Sequence, residues 1–400
     1  MNPPRRGTPD FLLLLLTLIL VSFGLIMVFS ASSMSATYWY QGDSLFYTKK
    51  QVLGIVLGII GMFIVMNIHF STLRKWTGPI FTMILISLFL VLVVGYESKG
   101  AKSWFMIGGL QLQPAEFAKV GIVMFLAAMI AKKEEKFRDF KQGLLPALLV
   151  IGLVVFLILQ QPDLGSAMIL AMGALLVIVV GGANLKHLLM LGTALAALGS
   201  IVFFIMYLID PDILGGYRIA RITTFLDPWV DERGDGFHIV QSLLAFGHGG
   251  LTGAGFGQSI QKLHFLPAPH NDFIFSIIGE ELGFIGSSIF IIVYLLFIWR
   301  GFIVALRCSD TFGSLLGIGI IGTMAIQSLI NIGGVTNSIP LTGVTLPLIS
   351  YGGTSVMVTL ASLGILLGIS RDYNKAAQEA LSGSGSGRAK ASARRHTVSG

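Results

Sequence analysis

The chain has 400 residues, 54% of them hydrophobic and only 12% charged, with a formal net charge of +7. A soluble domain carries about 25% charged residues, and the mean hydropathy here is +0.82, so an ordinary water-facing fold is excluded. Cys308 is the only cysteine, which excludes an internal disulfide and any dithiol metal or redox site.

Apolar runs near twenty residues recur along the chain, so each must satisfy its own backbone hydrogen bonds in lipid, as a helix. The expected fold is all-α: a polytopic membrane protein of about ten spans. The first run, "FLLLLLTLILVSFGLIMVF", follows Arg5 and Arg6 and is longer than a signal-peptide core, so it reads as an uncleaved span. Spans are expected near 11–31, 51–69, 78–96, 115–131, 144–160, 166–182, 187–208, 272–298, 314–335 and 353–370. Arg74, Lys75, the "KKEEKFRDFK" stretch, Lys186, Arg300, Arg307, Arg371 and Lys375 then share one side with Arg5 and Arg6. That bias places both termini in the cytoplasm. Lys49 and Lys50 are the exception and can snorkel from the outer end of the second span. Basic residues beside spans suit anionic lipid, and no nucleic-acid partner is expected.

One domain therefore runs from 1 to 371, followed by a cytoplasmic basic tail at 372–400. From Leu381 the tail is small, polar and basic, and it is expected to be disordered. The opposite, extracytoplasmic side holds loops at 97–114, 160–165, 209–271 and 336–352. The loop at 209–271, between spans 7 and 8, is far longer than an ordinary connector. It carries Trp229, Phe237, Phe246, Phe256 and Phe265 among many glycines, so it is expected to fold back onto the bundle.

Several polar residues near these loops have both a plain and a chemical reading. In "QPAEFAK", Glu116 and Lys119 could be a helix-start acid and an i,i+3 ion pair, or Lys119 could await an anionic ligand. Asp163 in "QPDLG" could be turn chemistry or a site residue. Arg218 and Arg221 could face lipid head groups or clamp a pyrophosphate. The glycine-dense "FGHGGLTGAGFGQSIQK" has no strand before it, so close backbone approach to a ligand or another loop is the safer inference. "TGVTLPLISYGGTS", with Ser350 and Tyr351, is elaborate for a simple span entry. Asp272 could cap the eighth span. A cap does not account for Glu280, about 12 Å deeper along that helix, or for Glu281. Carboxylates in lipid are kept for function, and a polar cavity open to the outside is expected there.

These segments, together with "VFSASS", "GAKSWFMIGGLQLQPAEFAK", "QQPDLGSA", "YRIARITTFLDPW" and "NDFIFSIIGEELGF", resemble the SEDS family (shape, elongation, division and sporulation proteins). The likeness runs from about Pro9 to Arg371 and is strongest to the FtsW and SpoVE branch of Gram-positive spore formers. Two positions depart from the family pattern: Ser103 stands where a second basic residue is common, and Ala268 where Leu-Pro is usually followed by Glu.

The resemblance implies a ten-span peptidoglycan glycosyltransferase that polymerises lipid II on the outer face of the cytoplasmic membrane, for septal wall synthesis in division or sporulation. It implies Asp272 as the catalytic acid, importance for Glu116, Lys119 and Asp163, and a class B penicillin-binding protein as partner among other divisome or sporulation proteins. In such a reaction a sugar hydroxyl attacks an anomeric carbon while polyprenyl pyrophosphate leaves. Asp272 would accept the proton. Lys102, Lys119, Arg218, Arg221 and Lys262 would be the candidates to stabilise the leaving charge, with Ser350 and Tyr351 counted among substrate contacts. Inversion at the sugar is expected, because one face holds a base and no second nucleophilic carboxylate is indicated. A divalent cation, Mg or Mn, could assist, although no metal-ligand spacing shows it, and no organic cofactor is expected. A lipid II flippase and a non-catalytic divisome scaffold are the alternative readings.

Overall fold

A computed structural model of the chain describes residues 7–98, 101–108, 110–194, 197, 200, 224–231, 234, 236–263, 265–372 and 374. In chain order these form α1 (Phe11–Trp39), α2 (Phe46–Met66) and α3 (Phe70–Val94), then strands β1 (Tyr96–Ser98), β2 (Ala101–Ile107) and β3 (Leu110–Leu112). Next come α4 (Pro114–Lys133), α5 (Leu145–Leu159), α6 (Leu164–Val180) and α7, which begins at residue 185. They are followed by α8 (Phe237–Gly249), α9 (Ile274–Leu306), α10 (Thr311–Val335) and α11 (Gly353–Asp372). Eight of the described helices are long and apolar enough to cross a membrane, and α6 is a shorter apolar helix. The chain is thus a multi-pass membrane protein. The predicted seventh span continues as α7 only to the edge of the described residues, and the tail after 374 lies outside them.

The apolar runs marked the spans but not their ends. The first helix continues eight residues past its predicted end to Trp39, and the third starts at Phe70 rather than 78. His69 caps that helix by accepting from the Ser71 amide at 3.1 Å, so hydrogen bonding starts it well before its apolar stretch. The 97–114 loop is a small antiparallel sheet in the order β1-β2-β3, with Glu97 opposite Lys102 and Met106 opposite Gln111.

Three helices form the centre. In α4, α10 and α11 between 72% and 78% of the spanning window is buried inside the protein, against 28–44% in α1, α2, α3, α5 and α9, which therefore face lipid. The central helices approach closely because their contact residues are small. A Cβ at Gly319 of α10 would lie 2.3 Å from the Val123 side chain of α4.

At the end opposite the sheet, Asp10 joins three helices. It caps α1 through the Leu13 amide at 2.9 Å, its own amide donates to Ser370 at 2.9 Å, and Arg300 of α9 donates to both carboxylate oxygens at 3.0 and 2.6 Å. Burial pushes the Asp10 carboxyl up, but the Arg300 hydrogen bond and charge and the Leu13 amide outweigh it and hold it below the usual carboxylate range. A depressed folded-state value contributes stability that is present above the unfolded value and lost as pH falls through the folded one. Asp10→Asn is expected to lower the unfolding temperature in detergent at pH 7. Wild type and variant should converge only as pH falls below 3.8, the ordinary value, and on through the depressed one.

Candidate active site

The segment before α9 does not use Asp272 as its cap. The helix begins at Ile274, the cap position is Phe273, and no side chain bonds there. Asp272 sits one residue earlier, in a half-buried turn. Its carbonyl accepts from Asn331 at 2.7 Å, and its Oδ2 lies where a Cβ on Gly343 would come within 3.6 Å. The capping reading fails on position, which leaves the carboxylate at the mouth of the helix.

The second group lies at the start of α4. Pro114 occupies the first turn, where its missing N–H costs nothing. Lys119 Nζ donates to Glu116 Oε1 at 2.9 Å and to Gln327 Oε1 of α10 at 3.0 Å. Glu116 and Lys119 are only 7% and 6% exposed, so this is a buried pair and not a solvated i,i+3 pair. They line a small cleft between α4, α10 and α11, with Val123, Thr323, Gln327 and Pro347 on its walls.

The loop at 342–347 connects these groups. Gln327 donates to Thr345 O at 2.8 Å and Asn331 donates to Val344 O at 2.7 Å. Gly343, at φ +72°, faces Asp272, and a Cβ at Gly165 would come 3.0 Å from Thr342 O. Ser350 Oγ accepts from the Leu346 amide at 2.8 Å and so fixes the turn that ends the loop. Tyr351 donates its amide to His270 O at 2.8 Å, and its ring packs with those of His270 and Tyr47. Burial pushes its hydroxyl up to about 12, so it is neutral at physiological pH.

Other candidates are placed differently. Asp163 caps α6 through the Ser166 amide at 2.9 Å and accepts from Gln113 Nε2 at 3.0 Å, tying that helix to the entry of α4. Lys102 is an exposed residue of β2, while its neighbour Ser103 is buried and donates to Gln161 O at 3.0 Å. Arg218 and Arg221 lie outside the described residues. Lys262 is 4% exposed and donates to Glu281 at 2.9 Å and Ser30 at 3.2 Å.

The expected cavity around Glu280 and Glu281 is replaced by a closed joint. At Gly283 the backbone turns to φ 67°, ψ −169°, which breaks α9 in its upper part. A helix broken there loses the bonds from 284 and 285 back to 280 and 281. The glycine-dense loop replaces them. Ala254 and Gly255 amides donate to Glu280 O and Glu281 O at 2.9 and 3.1 Å, and Phe284 and Ile285 amides donate to Gly250 O and Leu251 O at 2.9 and 3.1 Å. A Cβ at Gly253 would fall 2.2 Å from Glu281 O, so only glycine permits this approach. The Glu280 carboxylate accepts from Ser259 Oγ, the Ile260 amide at 2.8 Å and His248 Nδ1 at 2.9 Å. Both acids are thus spent holding the loop to the helix. The expected close approach of that loop is to another backbone.

Gln327 and Asn331 were not singled out in the sequence. The signal was present: two carboxamides four residues apart within the apolar run of α10, hence on one face of the helix. Among the described residues no three His, Cys, Asp or Glu gather as metal ligands.

A family model for FtsW, RodA and SpoVE, described as "Cell cycle protein", matches residues 10–375. The chain belongs to that family. Stage V sporulation protein E of Bacillus subtilis (strain 168) is 42% identical over 369 residues, covering 92% of this chain and 98% of that protein. The probable peptidoglycan glycosyltransferase FtsW of Trichlorobacter lovleyi is 38% identical over 371 residues, covering 92% and 95%. Among solved structures, a chain of a peptidoglycan synthase complex that coordinates polymerization and crosslinking superposes with TM-score 0.74 at 32% identity, covering 91% of this chain and 98% of that one. The rod shape determining protein RodA of Thermus thermophilus superposes with TM-score 0.65 at 31% identity, covering 91% and 97%. These family members share the helical membrane architecture that carries Asp272, Glu116 and Lys119 here.

Proposed function

We propose that this chain is a peptidoglycan glycosyltransferase that polymerises lipid II, with Asp272 as general base. The observation that carries the assignment of the base is the Asp272 carboxylate, which stands clear of the helix cap. The Glu116–Lys119 cleft is linked to it through the 342–347 loop. In this reading the acceptor sugar hydroxyl gives its proton to Asp272 as its oxygen attacks the anomeric carbon of the donor. The bond to polyprenyl pyrophosphate breaks with inversion. A base so placed typically contributes about 10²–10⁴-fold. Among the described residues Lys119 is the cation lining the cleft, and it offsets charge on the leaving pyrophosphate. Mg or Mn would enter with the pyrophosphate and offset part of its charge, because such ions are commonly held by one or two carboxylates plus substrate phosphates.

The Asp272 end faces outward and the Asp10–Arg300 end faces the cytoplasm, as the basic-residue bias supports. A class B penicillin-binding protein cross-links the strands this chain makes.

Purified full-length protein given lipid II is expected to make glycan strands that form a ladder on a gel. Absence of polymer, with scrambling of lipid II across vesicles, would support a flippase instead. Within this reading, Glu116→Gln and Lys119→Met are each expected to lower polymerisation by about 10²-fold or more, as loss of a charge-stabilising group does elsewhere. Wild-type rates in both variants at normal expression would return the pair to a packing role.

A further inference from the structure

The α10 carboxamides suggest how the base is held. Asn331 is 3% exposed, and its Nδ2 donates to Asp272 O and to Val344 O, each at 2.7 Å. A carboxamide nitrogen carries two hydrogens, so both are used. The reversed orientation would set Oδ1 against two carbonyl oxygens, which fixes the amide as placed. One hydrogen therefore holds the backbone of Asp272. The other holds the residue after Gly343, whose Cα faces the Asp272 carboxylate. A single side chain sets the spacing of the two segments that flank the candidate base. Four residues earlier, Gln327 makes a parallel tie between Lys119 and Thr345 of the same loop.

We infer that Asn331 is a positioning residue for the transferase: it fixes where the Asp272 carboxylate stands without touching substrate. The inference rests on the reading of Asp272 as the base. Misplacement of a reacting group by about 1 Å can cost about 10²-fold in rate, while binding through other contacts persists.

The test is steady-state kinetics of full-length Asn331→Ala, Asn331→Asp and Asn331→Ser with lipid II, alongside Asp272→Asn. Asn331→Ala is expected to lower kcat by about 10–100-fold with KM within about 3-fold of wild type. Asn331→Asp has the same shape but at most one hydrogen to donate, so it cannot keep both ties and its kcat should fall below wild type. A space-filling role predicts wild-type kcat in Asn331→Asp. Asn331→Ser keeps one donor, should retain an intermediate kcat, and carries the test if the alanine variant does not fold. Wild-type kcat in the folded alanine or serine variant, or a loss confined to KM, overturns the positioning role. Inactive Asp272→Asn beside fully active Asn331→Ala sinks the positioning role alone. Active Asp272→Asn sinks the base assignment itself, and the positioning role with it.

Discussion

Asp272→Asn is expected to abolish lipid II polymerisation while leaving the fold intact. The substitution keeps the size of the side chain and removes only its charge and its capacity to take a proton. It removes no helix cap, because α9 begins at Ile274 with Phe273 at its cap position. It also leaves the Asn331 bond, which goes to the Asp272 carbonyl and not to its carboxylate. The variant should therefore still fold and purify, and strand synthesis should fall by about 10²–10⁴-fold, as is typical of a lost general base. A variant that polymerises at the wild-type rate would reduce Asp272 to a turn residue.

Lys262→Met is expected to fail for a different reason. Lys262 and Glu281 are 4% and 1% exposed, and Ser30 of α1 bonds the same carboxylate at 2.6 Å. Removing the lysine leaves a buried charge without its counter-ion, which commonly costs about 3–5 kcal/mol. The loss should appear as a lower unfolding temperature and poor yield. Pairing it with Glu281→Met removes the stranded charge, and apolar replacement of a buried pair is often neutral or stabilising. The double variant should regain stability and polymerise lipid II. A stable double variant without activity would put Lys262 on the substrate, as the sequence alone allowed.

The two experiments separate residues that looked alike in the sequence. Asp272, Glu280, Glu281 and Lys262 are all ionisable groups in or beside one apolar span. Asp272 stands at the helix mouth, whereas Glu280 and Glu281 are closed off by loop 248–262. The deciding feature is the break at Gly283, whose exposed carbonyls and amides need partners that the glycine-dense loop supplies. Unpaired backbone groups in a membrane are costly, so the loop and its two acids are recruited to this joint. The glycines made close approach legible; they did not say to what.

Asp163 illustrates the same limit. Turn and site readings were both open in "QPDLG", and the Ser166 and Gln113 bonds make it a cap and a strut. Gln327 and Asn331 were visible as polar residues in an apolar run, yet their meaning depends on partners 208 and 59 residues away in the chain.

By itself the sequence determined what solvent each segment needs: apolar runs of spanning length, with charged and polar residues gathered between them. Those are local properties, because transfer into lipid and backbone self-satisfaction are decided segment by segment. Only the tertiary structure decided which buried charge faces which partner. The α10–loop–Asp272 tie, the Lys119–Gln327 bond and the Gly283 joint each join segments from different helices or loops. A hydrogen bond depends on ångström-scale placement that no spacing along one chain segment specifies.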